Sequence, residues 1–284
     1  MEYIKQNWNK LFIVVLCVVV LFAAFGSGVD SKGEELVESS FTQALIVFGS
    51  AKGLNAVISL AQGTQLDLPF LTVAIGEVLD PINDLVEQFA WVMLASMASL
   101  GIQKILLSFT ASGIYNIVLA FCLVVVNLWL FFRFSKDKEL RTIFFKVTAV
   151  LLFLRFAVPL MGYVNFVVYE NFVKPKYNIE TLNNKIEIVR DEVDKVTNET
   201  LQKKQDDSFF DKVTKSLDRD FYMQKIEQYK DAANNASRYV IDLIIVFIFQ
   251  TIFLPLFFLF VLYHFTRSIF AIGKSSNLTR DQAE

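Results

Sequence analysis

Two cysteines, one histidine and five prolines are all that 284 residues offer of these types, and each shortage closes off a class of chemistry. Cys17 and Cys122 both sit inside apolar runs, where a thiol behaves as a small buried hydrophobe rather than a disulfide partner or a metal ligand. The one histidine, His264, has no partner at metal-ligand spacing and stands beside Tyr263 and Arg267, as an interfacial residue does. Charge of one sign is also missing. The 27 Lys and Arg are balanced by 29 Asp and Glu, which removes the uncompensated basic surface that a phosphate backbone needs, and with it a nucleic-acid partner.

Catalytic patterns are absent in the same way. There is no His-Glu-x-x-His, no Cys-x-x-Cys and no Gly-x-Ser-x-Gly. Gly273-Lys274-Ser275 imitates the end of a phosphate-binding loop, but Ser268 stands where the earlier glycine is required. Glu77, Asp80, Asp84 and Glu87 are spaced three, four and three, so an uninterrupted helix would gather them on one face as cation ligands. Pro81 interrupts that face, and Asp80-Pro81 has the form of a helix start, with Asp as N-cap and Pro in the first helical position. Asn198-Glu199-Thr200 and Asn235-Ala236-Ser237 fit the glycosylation sequon, a pattern short enough to arise by chance. We therefore expect no enzymatic activity, no cofactor and no metal.

What is abundant is apolar surface. Hydrophobic residues make up 54% of the chain, 29 of them Phe, and the mean hydropathy is +0.46. That is too apolar for a chain dissolved in water, so the expected solvent is a bilayer. The clearest apolar runs are Leu11 to Val29, Ile114 to Phe134, Val147 to Tyr169 and Tyr239 to Phe265, each near the roughly 20 residues needed to cross a 30 Å hydrocarbon core. The first is preceded by Lys5 and Lys10. It is taken as a retained anchor, the alternative being a signal peptide cleaved near Ala24-Phe25-Gly26. Arg133, Lys136, Lys138, Arg141 and Lys146 crowd the short loop between the second and third runs, which makes that loop cytoplasmic and puts both termini on the same side. A plasma membrane or a bacterial inner membrane fits this layout.

Five regions follow: 1–29, a cytoplasmic tip and first span; 30–112, an outer-side interfacial or re-entrant segment; 113–170, spans two and three with their basic loop; 171–238, an extramembrane hairpin; and 239–284, span four and a cytoplasmic tail. Within 30–112, Phe41 to Ala61 and Phe89 to Leu107 are semi-apolar, which opens a six-span alternative. The stretch between them carries five acids and no Lys or Arg from Gly63 to Gln88, a poor match to a cytoplasmic loop. Ala95, Ser96, Ala98, Ser99 and Gly101 would let another helix approach closely.

The most specific pattern comes after Lys174-Pro175-Lys176, where proline interrupts the helix leaving the membrane. Ile179, Leu182, Ile186, Val189, Val193 and Val196 form an unbroken heptad seam. Gln205 to Ser208 supplies a polar turn. A second seam then runs through Phe210, Val213 and Leu217, shifts phase near Phe221 and Tyr222, and continues through Ile226, Tyr229 and Ala233. Folding about the turn pairs Val196 with Leu217 and Ile186 with Ile226. The expected fold class is thus an all-α integral membrane protein of about four spans, with an interfacial or re-entrant helical segment and an antiparallel coiled-coil hairpin outside the bilayer.

Arg155 lies about nine residues into the third run. An unpaired charge at that depth costs on the order of 2.5 to 3.5 kcal/mol, so by default it faces protein or water. Gln250 and Asn127, the polar residues of neighbouring runs, are its expected contacts, and Pro159 and Gly162 lie on the same stripe. Two functions follow. One is a non-enzymatic, homo-oligomeric assembly or scaffold protein that sits in the lipid bilayer, self-associates through its spans and meets a protein partner through the hairpin. The other is an oligomeric channel or transporter with Arg155 in or near the path.

Overall fold

With little water to satisfy its peptide groups, an apolar chain must close its hydrogen bonds locally, and helix is the way to do so. The computed structural model describes residues 14–15, 17–23, 25–26, 28–63, 65–68, 71–131, 138–206 and 219–278, and nearly all of these are helical. A first helix, α1, occupies the described residues between 14 and 25. It is followed by α2 (Gly28–Gln62), a two-stranded antiparallel hairpin of β1 (Gln65–Leu68) and β2 (Leu71–Ala74), α3 (Ile75–Ala111) and α4 (Gly113–Phe131). Then come α5 (Lys138–Val168), α6 (Ile179–Asp206), α7 (Arg219–Ile248) and α8 (Leu254–Leu278), with π-helical turns at Tyr169–Val173 and Phe249–Phe253.

Four helical stretches are long and apolar enough to cross a membrane: Asp30–Gln62, Gly76–Ala111, Thr142–Val173 and Met223–Ser268. Their number is the one expected, but the set is different. The last two contain the anticipated spans three and four, whereas the first two lie in the segment read as interfacial, and the anticipated second span appears as the shorter apolar helix Gly113–Trp129. The helix start expected at Asp80-Pro81 also moves. α3 begins at Ile75 and runs through Pro81, because the β-hairpin delivers the chain into the helix one turn earlier. Asp80, freed from capping, accepts a hydrogen bond from Gln62 Nε2 at 2.8 Å and so ties the end of α2 to the start of α3.

The break at Pro175 is where the sequence put it. The π-turn ends at Val173, and Asn178 caps the new helix, its Oδ1 accepting from Thr181 N at 2.9 Å.

The chain divides into two compact units, one drawn from Met1–Ser39, Leu100–Val167 and Phe253–Glu284, the other from Ser40–Ser99 and Val168–Ile252. In the first, Leu119 and Leu123 of α4 are buried under Cys17, Val20 and Leu21 of α1 and Leu151, Leu152 and Phe156 of α5. Phe153 of α5 stacks on Phe265 of α8 with ring centroids 4.3 Å apart.

The second unit is built on heptads. In α6 all six seam residues, Ile179, Leu182, Ile186, Val189, Val193 and Val196, are buried. So are Ala44, Val47, Ala51, Leu54, Ile58 and Ala61 of α2, Leu79, Ile82, Val86, Phe89, Met93 and Ser96 of α3, and Lys225, Tyr229, Ala232, Ala236, Val240, Leu243 and Phe247 of α7. Steps of three and four keep each stripe on one side of its helix. Polar contacts join the helices in a ring. Ser50 Oγ donates to Glu187 Oε1 at 3.0 Å between α2 and α6, and the hydroxyls of Thr197 and Tyr229 meet at 2.9 Å between α6 and α7. Thr251 Oγ1 donates to Ser96 Oγ at 2.9 Å, and Gln62 closes the ring on Asp80.

The second seam differs in phase and register from its reading in the sequence. Lys225 and Ala232 are buried in place of Ile226 and Ala233, which are half-buried. Tyr229 meets Thr197, Lys225 pairs with Glu199, and Lys185 lies over the Tyr239 ring. These pairs put Tyr229 beside the Val196–Thr197 step and Tyr239 beside Lys185–Ile186, so Ile186 does not face Ile226. Hydroxyl and ion pairing along α7 selects a neighbouring stripe that apolarity alone does not single out. Phe210, Val213 and Leu217 lie outside the described residues, as do Lys5, Lys10, Arg133, Lys136 and Arg280.

Candidate functional site

Arg155 is carried by the middle of α5 and is only 2% exposed. Its surroundings are assembled from three helices of the first unit. Nη1 donates to Asp30 Oδ1 at 2.6 Å and Nη2 to Asp30 Oδ2 at 2.5 Å, a two-pronged pair, while Nε donates to Asn116 Oδ1 at 2.8 Å. Planar guanidinium against planar carboxylate is the geometry that best repays the desolvation of both charges.

Each partner is placed by local chain chemistry. Asp30 falls in the first turn of α2, where the helix dipole favours an anion. Asn116 falls in the first turn of α4, whose start is capped by Ser112: Tyr115 N donates to Ser112 Oγ at 3.2 Å and Asn116 N to Ser112 O at 3.1 Å. Tyr115 Oη then donates to the Leu151 carbonyl of α5 at 2.7 Å.

Backbone approach holds α2 against α5 at this level. A Cβ on Gly33 would lie 3.4 Å from Pro159 Cα, and one on Gly162 would lie 3.6 Å from the Gly33 carbonyl. Pro159 and Gly162, which the sequence marked as a place of close approach, find their partner in Gly33.

Of the contacts expected for Arg155, Asn127 bonds within its own helix, its Nδ2 donating to the Leu123 carbonyl at 2.8 Å, and its side chain lines a pocket with Cys17 and Leu21. Gln250 belongs to the second unit, buried in the π-turn before α8. Beside it, Thr251 shows how that turn is stabilised. Residue 255 is proline and brings no N–H to the carbonyl four residues before it. The Ser99 hydroxyl donates to that Thr251 carbonyl at 2.5 Å. Of the small residues of α3, Ser96 and Ser99 thus serve hydrogen bonding, whereas Ala95 and Ala98 are exposed and a Cβ on Gly101 would meet nothing within 4 Å.

Asp30 and Asn116 are the residues that sequence reasoning missed. A signal existed: Asp30 is the first acid after an apolar run, and Asn116 is an isolated amide at the start of another.

An arginine does not give up its proton, and its donors meet the Asp30 carboxylate and the Asn116 amide oxygen. The four acids around Pro81 remain a solvated face, and among the described residues no group of three or more His, Cys, Asp or Glu is arranged to hold a metal ion. Compared with protein families, with curated proteins and with solved structures, the chain matches none.

Proposed function

We propose that this chain is a non-enzymatic membrane protein of the assembly or scaffold kind, homo-oligomeric through its apolar helices, that offers α6 and α7 to a protein partner as an antiparallel coiled-coil hairpin outside the bilayer. The observation that carries the choice between this reading and a pore is the saturation of Arg155. Its guanidinium, the charge placed in or near the path by the pore reading, is spent on Asp30 and Asn116. A neutralised, two-pronged pair locks helices together and sets little field for a passing ion.

The hairpin reading is supported by α6 itself. Its six seam residues are apolar and buried, joined by buried Asn183, Thr197 and Thr200, while Glu180, Lys185, Asp191, Lys195 and Glu199 populate the rest of the helix. Such a helix needs water along its outer face. α2 is drawn out with it: Ser50 bonds Glu187, and a Cβ on Gly53 would meet Arg190 Cδ at 3.4 Å. The middle of an apolar stretch long enough to span is therefore laid against charged side chains. On this reading α2 and the first part of α3 are apolar because they fill the core of a four-helix bundle, and the spans are the runs in α1, α4, α5 and α8. Both termini are cytoplasmic, by the basic loop between α4 and α5. Ile188 stands exposed on the outer face of α6, an apolar point for a partner to cover.

The test is reconstitution. Purified protein in liposomes should pass ions no faster than empty liposomes, while its mass in lipid nanodiscs should be a discrete multiple of the protomer. Flux above background that changes on Arg155→Gln would replace this reading with the pore.

A further inference from the structure

The first turns of α2 carry two unlike faces. Gly33, Leu36 and Val37 are buried; a Cβ on Gly33 would lie 3.4 Å from Pro159 Cα and 3.6 Å from Leu107 Cδ2, and one on Gly162 would lie 3.5 Å from Val37 Cγ2. On the other side of the helix Lys32, Glu34, Glu35 and Glu38 are exposed. Lys32 pairs with Glu35 at 2.9 Å, and Lys104 of α3 pairs with Glu38.

These contacts set the height of the ionised face. Pro159 and Gly162 belong to the apolar stretch Thr142–Val173, and beside them Leu160 and Tyr163 of α5 are exposed, as are Ile105 and Phe109 on either side of Leu107 in α3. That apolar surface continues through Ile117 and Phe121 of α4. One level of the unit therefore shows both kinds of surface. Lipid against the ionised face is costly, and water against the apolar face leaves a broad hydrophobic patch uncovered. Because the apolar surface runs on into α4, lipid takes it, and protein must cover the ionised face.

Charge names that protein. At 3.6 residues per turn Lys32 and Glu34 mark the two edges of the exposed arc of α2, about 160° apart, with Glu35 and Glu38 between them. Copies inserted into one bilayer in the same direction are related by rotation about its normal, so in a ring one edge of this face meets the opposite edge of the next copy. Lys32 gives one proton to its own Glu35, and an ammonium has three. It can keep that pair and still reach a second carboxylate.

We infer that the ionised face of α2 is the surface through which copies of this chain associate in the membrane, Lys32 of one copy against Glu34 of the next. The inference rests on the homo-oligomeric reading above and adds the face that carries it.

Crosslinking in lipid nanodiscs tests it, in a full chain with Cys17 and Cys122 replaced by alanine. Copies carrying Ser39→Cys, on the Lys32 edge, and differently tagged copies carrying Ser31→Cys, toward the Glu34 edge, should be joined by a bifunctional maleimide into a product bearing both tags. Copies carrying Ile105→Cys or Leu160→Cys should not be joined. Lys32→Glu should lower the yield of the doubly tagged product about tenfold, the effect of bringing like charges together, and Lys32→Glu with Glu34→Lys should restore it. All these positions are exposed, so the variants should fold. Absence of the doubly tagged product in protein whose nanodisc mass is a multiple of the protomer would overturn this inference and leave the homo-oligomer standing. So would a yield unchanged by Lys32→Glu, joining through Ile105→Cys or Leu160→Cys instead, or labelling of Ser31→Cys by a membrane-impermeant thiol reagent without joining, which would open the face to water. A nanodisc mass of one protomer would remove the homo-oligomeric reading itself, and this inference with it.

Discussion

The two units keep their helices together by different means. In the first, a buried arginine, a carboxylate and an amide meet where α2 and α5 approach through glycine and proline, and three helices share one charge-assisted cluster. In the second, four helices turn buried stripes inward and are joined by hydroxyl and amide contacts and by the Lys225–Glu199 ion pair. The difference teaches where specificity comes from. Apolar stripes interlock with a low penalty for small slips, whereas a two-pronged ion pair is satisfied in one arrangement and heavily penalised in any other. The first unit should thus fail abruptly on loss of one residue, and the second should weaken in proportion to the volume removed.

The largest effect should come from Arg155→Leu. It strands the Asp30 carboxylate, 16% exposed, and should destabilise the protein by about 3–5 kcal/mol. Adding Asp30→Asn should recover more than half of the loss, as read by thermal unfolding in detergent. A melting temperature within a degree of the parent for Arg155→Leu alone would erase the contrast between the units.

Next in size is the core of the second unit. Ile186→Ala empties a fully buried site and should cost about 2–5 kcal/mol. Ile226→Ala, at a half-buried position, should cost about 1 kcal/mol or less. Equal losses would restore the phase and register read from the sequence.

The smallest effect is the pH response of the α6–α7 ion pair. The hydrogen bond from Lys225 holds the Glu199 carboxyl below its ordinary range. A lowered folded value means that the pair's contribution is present above the ordinary carboxylate value of about 4.3 and is lost as pH falls through the folded value. Stability of the parent and of Lys225→Met should therefore differ at neutral pH and converge in acid. A gap that stays constant into acid would show that Lys225 acts only through its buried stem.

The comparison also explains which features were legible beforehand. The α6 seam was visible because its other face is charged, so a period of 3.5 residues stands out against polar surroundings. α2 and α3 carry stripes of the same spacing, but Leu45, Ile46, Trp91 and Leu94 are apolar and exposed, and an apolar outer face hides the period. In the α7 seam Tyr229 is buried as read, while Lys225, paired with Glu199 of α6, and Ala232 take the places of Ile226 and Ala233.

By itself the sequence determined the helical fold, two of the four apolar stretches of membrane length, the break at Pro175 and the inward stripe of α6, all of which depend on local composition and on residues three or four apart. Only tertiary structure decided that Arg155 meets Asp30, 125 positions away, and Asn116, 39 away, and that Gly33 is the surface on which Pro159 rests. A long-range ion pair leaves no periodic trace. It exists because burying a guanidinium makes a nearby carboxylate worth several kcal/mol, and the carboxylate that answers is chosen by which helix can come close enough.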